Sequence, residues 1–124
     1  KTILERFRLT PEQDCNNKYI LDYIAKWSIK KSNGGYEWKF DDSIFEKLGF
    51  SHMTRDIAFT LSCKLGIIYG TESKMIADEV LSYMESSVPN NTPIIPIKEA
   101  AHHVLLDQPL KLVSEIKNVI SAWK

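Results

Sequence analysis

Two short stretches of this chain are apolar at consecutive positions, Leu65-Gly66-Ile67-Ile68-Tyr69 and Ile94-Ile95-Pro96-Ile97. Alternation would mark a strand with one wet face. An unbroken run marks a strand covered on both faces, as in a parallel sheet. Between the runs, Ile76, Val80, Leu81 and Met84 recur at helical spacing and predict a helix that ends near Ser86 or Ser87. After Pro109, a favourable first-turn residue, Leu110, Val113, Ile116, Val119, Ile120 and Trp123 predict a last helix. Strand, helix, strand, helix is the order of βαβ units. The expected fold class is therefore α/β, with parallel strands and flanking helices. Two parallel strands leave open edges and uncovered apolar faces. Further strands are expected, in an N-terminal portion of the same polypeptide or in a separate, tightly bound chain.

The first half patterns differently. Residues 1–13 have no sustained periodicity. Tyr19, Ile20, Ile24 and Trp27 recur at three or four residues and predict an amphipathic helix, capped by Asn16 or Asn17 and ending near Lys30 or Lys31. Ser32-Asn33-Gly34-Gly35 is expected to stop it. Tyr36-Glu37-Trp38-Lys39-Phe40-Asp41 then alternates aromatic and charged residues, which predicts an extended segment with its aromatics packed and its charges in water. Residues 42–48 are expected to form a short helix. Thr54 is expected to cap another, with Ile57, Ala58 and Leu61 on one face and the loop histidine His52 before it.

Composition narrows the function classes. With 44% hydrophobic residues the 124-residue chain can bury a core. Its 16 basic and 16 acidic residues cancel, which removes the electrostatic case for nucleic acid or for an anionic membrane surface. No apolar run approaches the roughly 20 residues that span a bilayer, and no signal peptide is visible. Cys15 and Cys63 lack metal-ligand spacing. They are expected to be free, buried thiols of a reduced compartment, hence a cytoplasmic chain. The first residue is Lys1 rather than Met, so the natural polypeptide is expected to extend further.

In open parallel sheets the functional groups collect at the carboxyl ends of the strands. Two loops leave such ends here, 70–74 and 98–103. One carries Glu72; the other carries His102 and His103. A histidine suits general-base work because its unperturbed pKa is about 6.5, and a carboxylate on its far nitrogen would hold the tautomer. Two adjacent histidines on one loop do not aim at one ion and no third ligand stands near, so no metal and no cofactor is expected.

The run Ala101-His102-His103-Val104-Leu105-Leu106-Asp107-Gln108-Pro109 resembles the catalytic-histidine segment of α/β-hydrolases. There a histidine follows the last strand and an acidic-Gln-Pro step precedes the final helix. Leu65 to Gly70 is similar to the preceding strand of that family, which ends in an aromatic-Gly turn. Gly34-Gly35-Tyr36-Glu37-Trp38-Lys39-Phe40-Asp41 resembles a step that joins helical cap to core in a bacterial branch. The resemblance covers nearly the whole chain. It implies the C-terminal part of an α/β-hydrolase: residues 1–53 as helical cap segment and return to the core, residues 54–124 as two parallel strands and three helices of the core.

Carried over by spacing from Pro109, the resemblance makes His102 the catalytic histidine and His103 its packing or orienting neighbour. The family's acid often lies three residues after the glycine that ends the penultimate strand. That position is Ser73, so the adjacent Glu72 is the substitute within this chain, and an acid after an earlier strand is the alternative. Tyr23, Trp27 and Trp38, with His103, would line an apolar substrate pocket under the cap. Five glycines are present, and none flanks a serine as Gly-x-Ser-x-Gly requires. The nucleophile, Ser, Asp or Cys, and the oxyanion hole are expected in the N-terminal portion, leaving this chain inactive alone. The implied activity is hydrolysis of an ester-like or other small apolar molecule. The alternative is a non-catalytic, hydrolase-like interaction module.

Overall fold

The chain divides into two units, residues 1–52 and residues 53–124. The structure, a computed structural model, describes residues 2–41, 43–44 and 60–124. The helices expected over 42–48 and from Thr54, and His52, lie outside the described residues.

In the first unit a 3-10 turn, Leu4–Arg6, precedes helix α1, Lys18–Trp27. Asn17 holds the cap position, but its side chain does not bond the first-turn amides. The helix ends at Trp27, earlier than the lysines suggest. Ser28 turns its hydroxyl back onto Ile24 O at 2.7 Å, a bond that competes with helix continuation. Lys30 and Lys31 therefore sit on strand β1, Ile29–Ser32, which pairs antiparallel with β2, Gly35–Trp38. Asn33 and Gly34 connect them, because Ser32 stands opposite Gly35. The glycine pair expected to stop a helix closes a hairpin instead, with Gly35 at φ 133°, a conformation that side-chain-bearing residues rarely adopt. The extended character of 36–38 is observed. The expected burial of its aromatics is not: Tyr36 and Phe40 are exposed, and Trp38 is half-buried against Phe7, with ring centroids 5.9 Å apart. A two-stranded ribbon has too little surface to cover large rings on its own.

In the second unit strand β3, Ile67–Gly70, is followed by helix α2, Asp78–Ser86, and strand β4, Ile94–Ile97. A four-residue helix α3, Val104–Asp107, and helix α4, Pro109–Ala122, complete it. β3 and β4 pair in parallel, Ile67 opposite Ile94 and Gly70 opposite Ile97. Ile67 N–H donates to Pro93 O at 2.9 Å and Thr71 N–H to Ile97 O at 3.0 Å. Backbone groups turn to opposite edges at successive residues. Ile95 and Ile97 thus face β3, and Pro96 faces the outer edge, where it has no N–H to offer a further strand. Ile68 turns its N–H and C=O to the far edge of β3.

The core lies at one end of this unit. Ile97 and Ala100 are 0% exposed and cluster with buried Val104; Leu106 is buried as well. Ile68, Ile95 and Leu112 pack against this cluster. Elsewhere apolar side chains stay open: Leu110, Val113, Ile116 and Ile120 form an exposed stripe on α4.

Candidate active site

The C-terminal ends of β3 and β4 meet through backbone. Thr71 N–H reaches Ile97 O, and Glu72 N–H donates to Ala100 O at 2.9 Å. Gly70 makes this approach possible. A Cβ there would collide with the carbonyl oxygens of Ala100 and Ala101, so the last residue of β3 is a glycine because the histidine loop rests on it.

The loop itself is clasped by the Asp107-Gln108 step. Asp107 Oδ2 accepts the Ala101 N–H at 2.7 Å, and Gln108 Nε2 donates to Glu99 O at 3.2 Å. Glu99 has φ 55°, a left-handed conformation that costs a non-glycine residue about 1–2 kcal/mol. The Gln108 bond helps hold that turn. His103 occupies the cap position of α3, with Leu106 N–H on its carbonyl at 2.8 Å. Two residues of sequence thus act on the histidine loop from across a helical turn.

His102 projects from this frame, with its ring largely in the open. Its Nδ1 lies 3.1 Å from Ser73 Oγ. Ser73 is buried at 6% exposure, and its Oγ also accepts the Met75 N–H at 3.3 Å. The position three residues after Gly70, where the resemblance expects an acid, does reach the histidine, but with a hydroxyl. Glu72 is brought to the same loop, yet its side chain is exposed and among the described residues its carboxylate has no partner on His102. The His103 ring stands edge-on to that of His102, centroids 5.4 Å apart and planes at 86°. Nδ1 is engaged, so Nε2 is the nitrogen directed at whatever approaches.

The aromatic candidates belong to the first unit. Tyr23 and Trp27 pair at 6.0 Å, both exposed, and Lys39 Nζ lies 5.6 Å from the Trp27 ring centroid. Trp27 lines a groove of about 710 Å³ with Ile29 and Tyr36. Trp38 lines an adjoining groove of about 620 Å³ with Phe40. Neither of these two grooves is lined by all three rings. Cys15 is half-buried and Cys63 exposed, both free, so the expectation of two buried thiols is corrected for Cys63. Among the described residues no three His, Cys, Asp or Glu side chains converge as metal ligands. No described helix is long and apolar enough to cross a membrane.

The sequence pointed to His102 and to position 73 but undervalued the latter, since serine is not an acid. Residue types alone do not assign Asp107 and Gln108 their clasping roles. The spacing of an acceptor-donor pair just before Pro109 was the available signal.

No protein-family model matches the sequence, and no curated protein does. Solved structures do. E-2-(acetamidomethylene)succinate hydrolase superposes with a TM-score of 0.68 and 16% identity, over 82% of this chain and 38% of that one. A marine microorganism esterase gives 0.56 and 18%, over 89% of this chain and 42% of its own. A third, of a Rickettsia typhi protein, gives 0.55 and 20%, over 83% and 36%. The chain thus spans about two fifths of the length of the structures it resembles, and at these identities the likeness is one of fold. With its parallel strands, flanking helices and these neighbours, the chain has the fold of the C-terminal part of an α/β-hydrolase.

Proposed function

We propose that this chain is the histidine-bearing part of a hydrolase, completed by an N-terminal portion that carries the nucleophile and the oxyanion hole. The observation that carries the reading is His102, held by its loop at the carboxyl end of a parallel strand with Nδ1 engaged and Nε2 directed outward. In that role Nε2 exchanges a proton with the nucleophile or with the leaving group. The edge of β3 at Ile68, unpaired among the described residues, offers the place for the next strand, since Pro96 blunts the edge of β4. The apolar stripe on α4 is surface that a larger core would cover. One structural neighbour is an esterase and another hydrolyses a substituted succinate. An ester-like or other small carbon substrate is the class we assign. Two free cysteines suit a reducing compartment, and we place the protein in the cytoplasm.

The test is His102→Ala in the complete protein. Turnover of an ester substrate is expected to fall about a thousandfold or more, with a fluorophosphonate labelling the complete protein and not the 124-residue chain. Unchanged turnover would sink the reading. A second reading, a hydrolase-like module that binds without catalysis, draws on Ser73, which brings no charge to the histidine. Labelling of the complete protein counts against it.

A further inference from the structure

The position opposite Nδ1 decides what a site histidine can do, and here it is a buried hydroxyl. Hydrogen-bond accounting shows which way that bond runs. Ser73 Oγ has two polar partners among the described residues, the Met75 N–H and His102 Nδ1. The amide can only donate, and Oγ accepts it. The hydroxyl has one hydrogen of its own to place, and a buried donor left without an acceptor costs about 1–3 kcal/mol. Nδ1 is the acceptor in reach. The reverse arrangement, Nδ1–H into Oγ, would leave the hydroxyl hydrogen with no acceptor among the described residues.

We infer that Ser73 donates to Nδ1 and so stores the neutral ring's proton on Nε2, making resting His102 an outward hydrogen-bond donor that must shift to its other tautomer before Nε2 can take a nucleophile's proton. It fits an acceptor oxygen on a bound molecule, a carboxylate or a carbonyl. Ser73 is a positioning residue acting through His102. A carboxylate at position 73 would do the opposite. Being acceptor-only, it would draw the proton to Nδ1 and bare Nε2. It would also stabilise the imidazolium, which a neutral hydroxyl cannot. Other charged or titratable groups near the pair are His103, edge-on to the ring, Asp107, which accepts the Ala101 N–H, and Glu72, Lys74, Lys98 and Glu99 on the two loops.

This inference rests on the reading of His102 as the site histidine, but its test does not need turnover. The chain has three histidines, so the ring nitrogens can be assigned by single substitution after ¹⁵N labelling. Long-range proton–nitrogen correlation above pH 8, where imidazole with its usual pKa of about 6.5 is neutral, is expected to find His102 protonated at Nε2 and bare at Nδ1. Ser73→Ala is expected to shift the Nδ1 resonance toward that of a ring mixing both tautomers, and Ser73→Thr to restore it. Ser73→Asp is expected to transfer the proton to Nδ1. A proton on Nδ1 in the unmodified chain, or an Nδ1 resonance that ignores Ser73→Ala, overturns the inference and leaves the hydrolase reading standing. Failure of fluorophosphonate labelling in the complete protein removes that reading and leaves the tautomer result untouched.

Discussion

Two regions of the molecule handle their apolar residues in opposite ways. At the carboxyl end of β3 and β4, Ile97, Ala100 and Val104 form one buried cluster, and Leu106, on the short helix that follows the His102 loop, is buried too. In the first unit Ala25 is buried, but Tyr19, Tyr23, Trp27, Tyr36 and Phe40 are all more than half exposed. The contrast follows from geometry. Parallel strands joined through a helix bring residues distant in sequence onto one spot, and backbone bonds such as Glu72 N–H to Ala100 O then lock the loops together. A helix leading into a two-stranded ribbon builds no interior, so its large rings remain surface. The loop that carries His102 joins that packed region, a more rigid base for a side chain than the open ribbon.

The sharpest way to test this contrast is to empty the packed spot. Leu106→Ala, at 1% exposure, is expected to cost about 2–5 kcal/mol in denaturant unfolding. Tyr19→Ala, at 71% exposure, is expected to stay within about 0.5 kcal/mol. Equal losses would erase the distinction between the two regions. Glycines give a second, smaller comparison. Gly70→Ala drives a methyl into the Ala100 and Ala101 carbonyls and is expected to cost about 1–3 kcal/mol as an overpacking change. Gly34→Ala meets nothing within 4 Å and should be close to neutral in the same measurement. The smallest effect lies on the exposed side of α4. There Lys111 Nζ sits 2.5 Å from Glu115, and its hydrogen bond, followed by that of Asn118, holds the Glu115 carboxyl below its ordinary value. A lowered folded-state pKa stabilises above the unfolded value, and the gain is lost as pH falls through the folded one. Glu115→Gln should therefore lower stability slightly at neutral pH, flatten the acid side of the stability profile, and match the unmodified chain below the folded value.

Local pattern accounts for much of what was legible. Ile94 to Ile97 and the helix begun by Pro109 lie where the apolar runs and the proline predict them. Both are elements whose period is carried by adjacent residues. The end of α1 was misplaced because Lys30 and Lys31 suit a helix terminus as well as a strand, and Ser28 and the pairing of Ile29 with Trp38 decided between them. The helix Val104–Asp107 went unseen because four residues carry too little periodicity to announce themselves.

By itself, the sequence determined the α/β class, the strand that ends beside the histidines, and the resemblance that singles out His102. These follow from residue types and short spacings, which act within one or two turns of chain. Tertiary structure alone decided that Ser73, 29 residues away, faces Nδ1 while neighbouring Glu72 does not. It alone set the Asp107 carboxylate on the Ala101 amide and made Gly70 the seat of the histidine loop. Each depends on which side of a loop a side chain leaves once two strands are paired, and a shift of one residue reverses it.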